Sequence, residues 1–241
     1  MLIGGFQKTG GFQKNSFIDF PGKISAVIFF SGCNFKCPYC HNPELAMGKT
    51  VDAEHYDKNK ILDFLSNRKK FLDGVVLSGG EPTLQKNLFS FCSNIKQMGF
   101  PVKLDTNGSR PDVIKKLIEN NLIDYIAMDV KTDPFNYSPI IQEKSDPEEL
   151  IKSINIIINS DIKHEFRTTC VKPFINMEII ENISKLIKGA DLYVIQQFNN
   201  KKVLDPNFFN NRDCIIKDYE LKKFKNIAQT RVKKCIIREN R

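Results

Sequence analysis

The sequence has no run of apolar residues long enough to cross a membrane. Its longest apolar stretch, residues 24–30, is far shorter than the roughly 20 residues that span a bilayer. The first residues also lack the basic segment followed by an apolar segment that is typical of a secretory signal. We therefore expect a cytoplasmic protein without a membrane partner.

The cysteines do not follow the pattern of a disulfide framework. There are seven, an odd number, and four of them stand singly along the chain: Cys92, Cys170, Cys214 and Cys235. Secreted disulfide scaffolds have an even number of cysteines at regular spacings. We expect these four to be buried small apolar side chains, and they are assigned no role in chemistry.

Acidic residues are in the minority, with 28 Asp and Glu against 36 Lys and Arg, and the formal net charge is +8. The lysines are spread along the whole chain, whereas a nucleic-acid site concentrates them in a patch or stripe. We predict a solvated lysine-rich surface and no nucleic-acid partner. The charge leaves an acidic protein partner open.

Strand and helix patterns alternate along the chain. Six segments are predicted as strands, at residues 24–30, 74–77, 102–104, 125–129, 162–168 and 192–196. Helices are predicted around residues 54–71, 85–98, 111–120, 147–159 and 177–188. This alternation predicts parallel strands with helices outside, in one α/β domain. Residues 1–22 are interpreted as an N-terminal extension and turn, and residues 23–241 as the core domain with its C-terminal segment.

Polar or glycine residues follow the predicted strands at their C-terminal ends. In barrels of alternating strands and helices, this is the face that carries the site. We therefore predict a full or partial (β/α)6 TIM-like barrel with its site at the C-terminal ends of the strands. An open doubly wound sheet is the structural alternative.

Three cysteines follow the first predicted strand. Cys33, Cys37 and Cys40 are spaced C-x3-C-x2-C, with no second cysteine pair downstream. Three thiolates can bind three irons of a [4Fe-4S] cluster and leave the fourth iron open for chemistry. A structural zinc site is the alternative, but it needs four ligands and only His41 is near enough to complete it. The spacing favours the iron-sulfur cluster.

The later strand ends carry groups that can contact a ligand. Paired glycines allow close approach of a backbone edge, and carboxylate, hydroxyl and amide groups can bind a ribose or a cation. An arginine at an apolar strand end is costly to bury unless it meets an anion. In chain order these residues are Gly79, Gly80, Glu81, Asp105, Thr106, Asn107, Asp129, Lys131, Arg167, Gln196 and Gln197. Each has an ordinary structural explanation alone, but together they predict one convergent pocket.

The cysteine loop and the Gly-Gly-Glu segment resemble the radical S-adenosylmethionine (radical SAM) superfamily. Cys33, Cys37 and Cys40, with Tyr39 in the aromatic position, match its C-x3-C-x-aromatic-C loop, and residues 79–81 match its G-G-E motif. Residues 16–23 and 31–45 are further similar to activating enzymes of glycyl radical enzymes, above all those of anaerobic ribonucleoside-triphosphate reductase. The resemblance spans most of the chain.

The resemblance implies an oxidoreductase with one [4Fe-4S] cluster and S-adenosyl-L-methionine. The amino and carboxylate groups of S-adenosylmethionine would chelate the open iron. One electron, from a donor such as flavodoxin or ferredoxin, would cleave the sulfonium to methionine and a 5'-deoxyadenosyl radical. This radical would take a hydrogen atom from a glycine of a partner glycyl radical enzyme, with anaerobic ribonucleotide reductase as the expected partner.

The resemblance also implies roles for individual residues. Gly79 and Gly80 would receive the methionine amino group, and Glu81 would position the loop. Tyr39 would lie near the adenine through its backbone, and Arg167 would face the methionine carboxylate. The residues expected to line the ribose and methionine side are Thr106, Asn107, Asp129, Val130 and Lys131. A monovalent cation, as in some activating enzymes, would bind at Asp105, Thr106 and Asp129, with the Ala127 carbonyl.

The sequence departs from the pattern of some activating enzymes in two places, and two alternative functions are considered. Gln196-Gln197-Phe198 stands where some activating enzymes have a histidine that contacts the adenine. The short segment between Cys40 and the first predicted helix leaves no room for a ferredoxin-like insertion, so a second cluster is not expected. The alternatives are a small-molecule enzyme of the same superfamily, such as a 7-carboxy-7-deazaguanine synthase, and a basic zinc-containing binding module.

Overall fold

A computed structural model describes residues 9–48, 57–143, 146–200, 202–210 and 213–239. The strands are β1 (Thr9–Phe20), β2 (Lys23–Phe30), β3 (Gly74–Gly79), β4 (Val102–Thr106), β5 (Tyr125–Asp129), β6 (Lys163–Cys170), β7 (Leu192–Gln197) and β8 (Cys235–Arg238). The helices are α1 (Pro43–Ala46), α2 (Lys58–Asn67), α3 (Leu88–Gln97), α4 (Pro111–Glu119), α5 (Pro147–Ile158), α6 (Met177–Leu186) and α7 (Asp218–Ala228). Within these ranges, no helix combines the length and the apolar composition that crossing a membrane requires.

The chain forms two compact units. The first comprises Met1–Asn34, Asn42–Thr106 and Asp112–Ile126. The second comprises Phe35–His41, Asn107–Pro111 and Ala127–Arg241. The boundary passes through the cysteine loop, between Asn34 and Phe35, and through the middle of β5.

The first unit is built on the strands β1 to β4, which pair in chain order. β1 is antiparallel to β2, whereas β2, β3 and β4 are parallel. Val27 of β2 and Val76 of β3 are partners in the parallel register and pack with Phe20 in one buried cluster. The continuous apolar runs of β2 and β3 are typical of strands covered on both faces.

The second unit contains the parallel strands β6, β7 and β8, again in chain order. Phe166, Tyr193 and Val194 on these strands are fully buried. Two helices of this unit, α5 and α6, begin after side chains that cap them. Asp146 accepts a hydrogen bond from the Glu148 N–H (2.9 Å) at the start of α5, and Asn176 accepts one from the Ile179 N–H (2.9 Å) in α6. Proline at the first position of α5 fits the same pattern.

The alternation of strands and helices is confirmed, and all six predicted strands are present as β2 to β7. Two regions differ from the prediction. β1 occupies much of the segment interpreted as an extension, and α7 and β8 follow the last predicted strand. β1 contains glycine, lysine and asparagine in place of a regular alternation, and it is stabilised by pairing with β2. The sequence contains Gly-Gly-Phe-Gln-Lys twice, at residues 4–8 and 10–14, and the first copy lies outside the described residues.

The helix ends in the structure differ from the predicted ends by a few residues. The helix predicted around residues 54–71 is α2, which begins after Asp57 because that carboxylate accepts a hydrogen bond from the Lys60 N–H (2.8 Å). Residues 54–56 lie outside the described part of the chain. The helix predicted at residues 85–98 begins at Leu88 in α3, and a short 3-10 helix, Pro82–Leu84, precedes it.

Candidate active site

None of the three cysteines of the loop forms a disulfide. Cys33 follows β2 in the first unit, and Cys37 and Cys40 belong to the second. The Cys40 N–H donates to the Cys37 carbonyl (3.0 Å), which closes a tight turn between these two thiols. In the ranges that the structure describes, no three His, Cys, Asp or Glu side chains are arranged to hold a single metal ion.

The Gly-Gly-Glu segment is fastened to the backbone that leads into Cys33. The Gly80 N–H donates to the Phe30 carbonyl and the Glu81 N–H to the Gly32 carbonyl, each at 2.8 Å. A Cβ on Gly80 would lie 2.0 Å from the Gly32 carbonyl oxygen, and one on Gly79 would lie 2.4 Å from the Phe30 N and O. Glycine is therefore required here by close contact of two backbones.

Glu81 is fully buried and acts as a hydrogen-bond hub of the first unit. Its Oε1 accepts from the Thr83 N–H (3.1 Å), from the Thr83 hydroxyl (2.6 Å) and from the Thr106 hydroxyl (2.8 Å). These bonds connect the loop after β3 to the end of β4. The role of Glu81 in positioning the site stays a prediction, and the Thr106 hydroxyl has a partner within the protein.

The carboxylate of Asp105 lies between two donors of its own unit. The Ser78 hydroxyl donates to Oδ2 (3.0 Å), and the Lys103 ammonium donates to Oδ1. Sequence reasoning missed both donors. Lys103 and Asp105 are two residues apart on β4, and this spacing, which places both side chains on one face of a strand, was the available signal.

Asp129, Lys131 and Arg167 form an ion-pair network in the second unit. Asp129 Oδ1 accepts from Arg167 Nε (2.7 Å), and Oδ2 accepts from Lys131 Nζ (3.3 Å). Burial alone would raise the pKa of Asp129, but Arg167 and Lys131 hold the pKa at about 2. Burial would lower the pKa of Lys131, but Asp129 and then Cys37 raise it well above its ordinary value. Both groups are therefore charged at neutral pH, and the anion that Arg167 was predicted to need is present.

Tyr39 is buried beside this network. Its hydroxyl donates to the Lys131 carbonyl (3.4 Å), and the Lys131 N–H donates to the Tyr137 hydroxyl oxygen (2.7 Å). Burial, and next the neighbouring Cys37, raises the pKa of Tyr39 well above its ordinary value. Tyr39 is thus a neutral, fixed side chain that joins the turn of Cys37 and Cys40 to the end of β5.

Asn107 and Val130 contribute mainly to backbone geometry. Asn107 Oδ1 accepts from the Ser109 N–H (2.9 Å), which forms the turn after β4. The Val130 N–H donates to the Arg167 carbonyl and the Val130 carbonyl accepts from the Thr168 hydroxyl, both at 2.8 Å. Val130 therefore links the ends of β5 and β6 through its main chain.

An aromatic cluster lies where a histidine occurs in some activating enzymes. Phe198 stacks on His41 (5.6 Å between centroids), and His41 Nε2 is 2.7 Å from the Asn199 carbonyl oxygen. Phe198 also contacts the Tyr39 ring (6.4 Å). Gln197 instead donates to Asp218 (3.1 Å) at the start of α7. The segment after β7 thus packs on residues of the cysteine loop.

A sequence model described as the Radical SAM superfamily matches residues 27–187. The chain belongs to the radical SAM superfamily. A Methanocaldococcus jannaschii protein, provisionally named a glycyl-radical enzyme activating enzyme, is 42% identical over 239 residues, 95% of each chain. The pyruvate formate-lyase-activating enzyme of Clostridium pasteurianum is 31% identical over 181 residues, 72% of this chain and 74% of the relative. Within the superfamily, the chain falls in the group of glycyl-radical-enzyme activating enzymes.

The fold agrees with solved structures of the superfamily. Streptococcus suis SuiB, in a crystal structure with its precursor peptide SuiA, superimposes with a TM-score of 0.63 at 15% identity. The match covers 88% of this chain and 48% of SuiB, so this chain spans about half of that protein. The predicted fold, an α/β chain of the TIM-like barrel type, is confirmed.

Radical SAM enzymes use a [4Fe-4S] cluster and S-adenosylmethionine, and the residues present suit both. Three cysteine thiols at the motif spacing, without a disulfide among them, are the soft donors that iron-sulfur clusters require. The charged groups of Asp129, Lys131 and Arg167 are the type of groups that orient an amino acid's ammonium and carboxylate.

Proposed function

We propose that this protein is a radical SAM activating enzyme that generates a glycyl radical on a partner enzyme. The observation that carries the proposal is the 42% identity to a relative of the activating group along 95% of both chains. The matched stretch covers 95% of this chain and therefore spans the cysteine loop, the Gly-Gly-Glu segment and the strand ends.

In this proposal Cys33, Cys37 and Cys40 hold the cluster. When bound, the cluster delivers one electron that cleaves S-adenosylmethionine, and the resulting 5'-deoxyadenosyl radical takes a hydrogen atom from a glycine of the partner. The chain itself binds and orients S-adenosylmethionine and excludes water. Buried Tyr39 and the aromatic rings around Phe198 supply an apolar surface on the second unit for the exclusion of water.

The predicted S-adenosylmethionine contacts enter the proposal unchanged: Tyr39, Gly79, Gly80, Glu81, Thr106, Asn107, Asp129, Val130, Lys131 and Arg167. The charged network supports three of them most directly. Arg167 donates to Asp129 through Nε (2.7 Å), and its Nη1 lies 3.8 Å from Glu165, so its guanidinium is fixed, and a guanidinium is the group best suited to bind a carboxylate. Lys131 and Asp129 present opposite charges beside each other, which matches the zwitterionic methionine end of the ligand.

Anaerobic ribonucleotide reductase is the proposed partner, and flavodoxin or ferredoxin the proposed electron donor. Both follow from the resemblance of residues 16–23 and 31–45. The formal charge of +8 supports an acidic electron carrier in general terms. A monovalent cation at Asp105, Thr106 and Asp129 stays a prediction, and the lysine ammonium beside each of the two carboxylates counts against it.

The first test is anaerobic reconstitution with iron and sulfide, reduction with dithionite, and electron paramagnetic resonance with and without S-adenosylmethionine. We expect a reduced [4Fe-4S] signal that changes when the ligand is added. Cys37→Ala should lose the signal. Cys92→Ala, which removes a buried thiol on α3, should keep it. Stoichiometric zinc with a silent spectrum would overturn the cluster and return the cysteines to a structural role.

The second test identifies the partner. Reduced protein and S-adenosylmethionine are incubated with an anaerobic ribonucleotide reductase from the same organism, and a glycyl radical signal is sought. The proposed partner is supported if the radical forms with wild type and not with Cys37→Ala. Turnover of a free small molecule, with no radical on any reductase, would favour the small-molecule alternative such as a 7-carboxy-7-deazaguanine synthase.

A further inference from the structure

Lys103 is a lysine in the interior of the first unit, with 1% of its surface exposed. It lies on β4 beside Val76, which in turn pairs with Val27 of β2. The Tyr125 ring lies 5.9 Å from its Nζ. An ammonium in such an apolar layer is costly unless an anion compensates it. Packing alone therefore does not explain a buried lysine at position 103.

The compensating anion is Asp105, on the same strand face two residues later. The Lys103 ammonium donates to Oδ1, and the Ser78 hydroxyl donates to Oδ2 at 3.0 Å. Ser78 and Lys103 both belong to strands of the sheet, so both donors are held by rigid elements. Each carboxylate oxygen thus faces a fixed donor, and the positive charge beside Asp105 is covalently attached to the protein.

A monovalent cation at Asp105 would require the same carboxylate as an oxygen ligand. The ammonium already neutralises that carboxylate, and it repels a second cation at short distance. We propose that the Lys103 ammonium takes the place of a monovalent cation at Asp105. Lys103 is then a positioning residue, and it makes the binding of S-adenosylmethionine independent of K⁺ and Na⁺. The statement on S-adenosylmethionine rests on the proposed function, whereas the replacement of the cation does not.

The experiment compares wild-type holoenzyme with Lys103→Met in KCl, NaCl and choline chloride at equal ionic strength. Choline supplies the same charge but is too large to enter a cation site. The melting temperature Tm reports on the charge at Asp105, and titration of the reduced cluster signal reports the Kd for S-adenosylmethionine. Lys96→Met is the matched control, because Lys96 pairs with Asp124 in the same unit with both side chains partly exposed, at 29% and 36%.

We expect wild type to have the same Tm and, within about twofold, the same Kd in all three salts. In choline chloride, Lys103→Met should lose roughly 10 °C in Tm, since the Asp105 carboxylate, only 12% exposed, loses the positive charge that compensates it. Its Kd should rise roughly tenfold, because Asp105 directly precedes Thr106, a proposed contact of the ligand. KCl or NaCl should restore at least about a third of both losses. Lys96→Met should lose about 2 °C or less, equally in every salt.

Two results would overturn the proposal. One is a Tm or Kd of wild type that improves specifically with K⁺ or Na⁺. The other is a Lys103→Met protein whose losses are equal in all three salts, because Lys103 then serves packing alone. If Lys103→Met does not fold, Lys103→Gln keeps a donor without the charge and is tested in the same way. If Tm follows the expectation but S-adenosylmethionine does not bind wild type, the proposed function fails while the cation replacement stands.

Discussion

The Gly-Gly-Glu loop of the first unit and the Asp129 network of the second hold their site residues by different forces. Gly80 and Glu81 are held by backbone hydrogen bonds of 2.8 Å and by a contact so close that only glycine fits. Asp129 is held by the guanidinium of Arg167, which is 14% exposed, and by the ammonium of Lys131, which is 17% exposed. Steric and backbone contacts do not depend on pH, whereas ion pairs do. The two regions should therefore respond differently to substitution and to acid.

Gly80→Ala should produce the largest loss of stability. The new Cβ would lie 2.0 Å from the Gly32 carbonyl oxygen, and a backbone atom cannot move aside as the end of a side chain can. We expect the free energy of unfolding in urea to fall by about 3 kcal/mol. Gly189→Ala is the control: its φ is +89°, but no atom lies within 4 Å of a new Cβ, so about 1 kcal/mol is expected. Equal losses in the two variants would contradict the close backbone contact.

Arg167→Met should produce the next largest loss, in the charged region. It leaves Asp129 with Lys131 alone, and it leaves buried Glu165, 3.8 Å from the Arg167 guanidinium, without that positive charge. We expect a loss of about 2 kcal/mol in the free energy of unfolding, discounted because Asp129 is partly exposed. Arg231→Met is the matched control, since Arg231 pairs with the exposed Glu181 in the same unit. It should cost about 0.5 kcal/mol, and a similar loss at both arginines would show that burial does not matter here.

A fall in pH should reduce the stability that the Asp129 network contributes. It should not change the contribution of the close contact at Gly80. The pKa of Asp129 is about 2 in the folded protein, below its ordinary value of 3.8. A lowered pKa stabilises the fold above the ordinary value, and this contribution is lost as pH falls from about 4 towards 2. In cluster-free protein, wild type should exceed Asp129→Asn in stability by up to about 2 kcal/mol at pH 5, with the difference shrinking at pH 3. The loss in Gly80→Ala should be the same at both pH values.

Removal of single hydroxyl groups should give the smallest losses in the free energy of unfolding. These losses should still differ between the two regions. Thr83→Val removes a hydroxyl that donates to the buried Glu81 carboxylate at 2.6 Å, and about 1.5 kcal/mol is expected from urea unfolding. Tyr39→Phe removes a hydroxyl whose bond to the Lys131 carbonyl is long, at 3.4 Å, and about 0.5 kcal/mol or less is expected. A larger loss in Tyr39→Phe would mean that its hydroxyl holds the second region together more than the distance indicates.

Local patterns were sufficient to predict much of the fold and the motif residues. The apolar runs that became β2, β3, β5 and β7 were recognisable because a buried parallel strand needs a short continuous apolar segment. Asp129 and Lys131 were placed on one side of an extended segment because side chains alternate along a strand, and their ion pair agrees. β1 was missed because the pattern of Thr9–Phe20 is weak and its stability comes from pairing with β2.

The partners of the site residues could not be predicted in the same way. Nothing in the local sequence says that the Thr106 hydroxyl meets Glu81, 25 positions earlier, or that Arg167 meets Asp129, 38 positions earlier. The pairing of Ser78 with Asp105 is a further example, since it joins neighbouring strands through a helical connection. Such contacts depend on which strand ends become neighbours.

The sequence by itself determined the family, the spacing of Cys33, Cys37 and Cys40, and the faces on which charged residues stand. These are properties of covalent spacing and of strand periodicity, which act over a few residues. Only the tertiary structure decided that Gly80 is needed for contact with Gly32, and that Lys103 supplies the charge beside Asp105. Those outcomes depend on distances between strands, and these distances are set by the packing of the whole first unit.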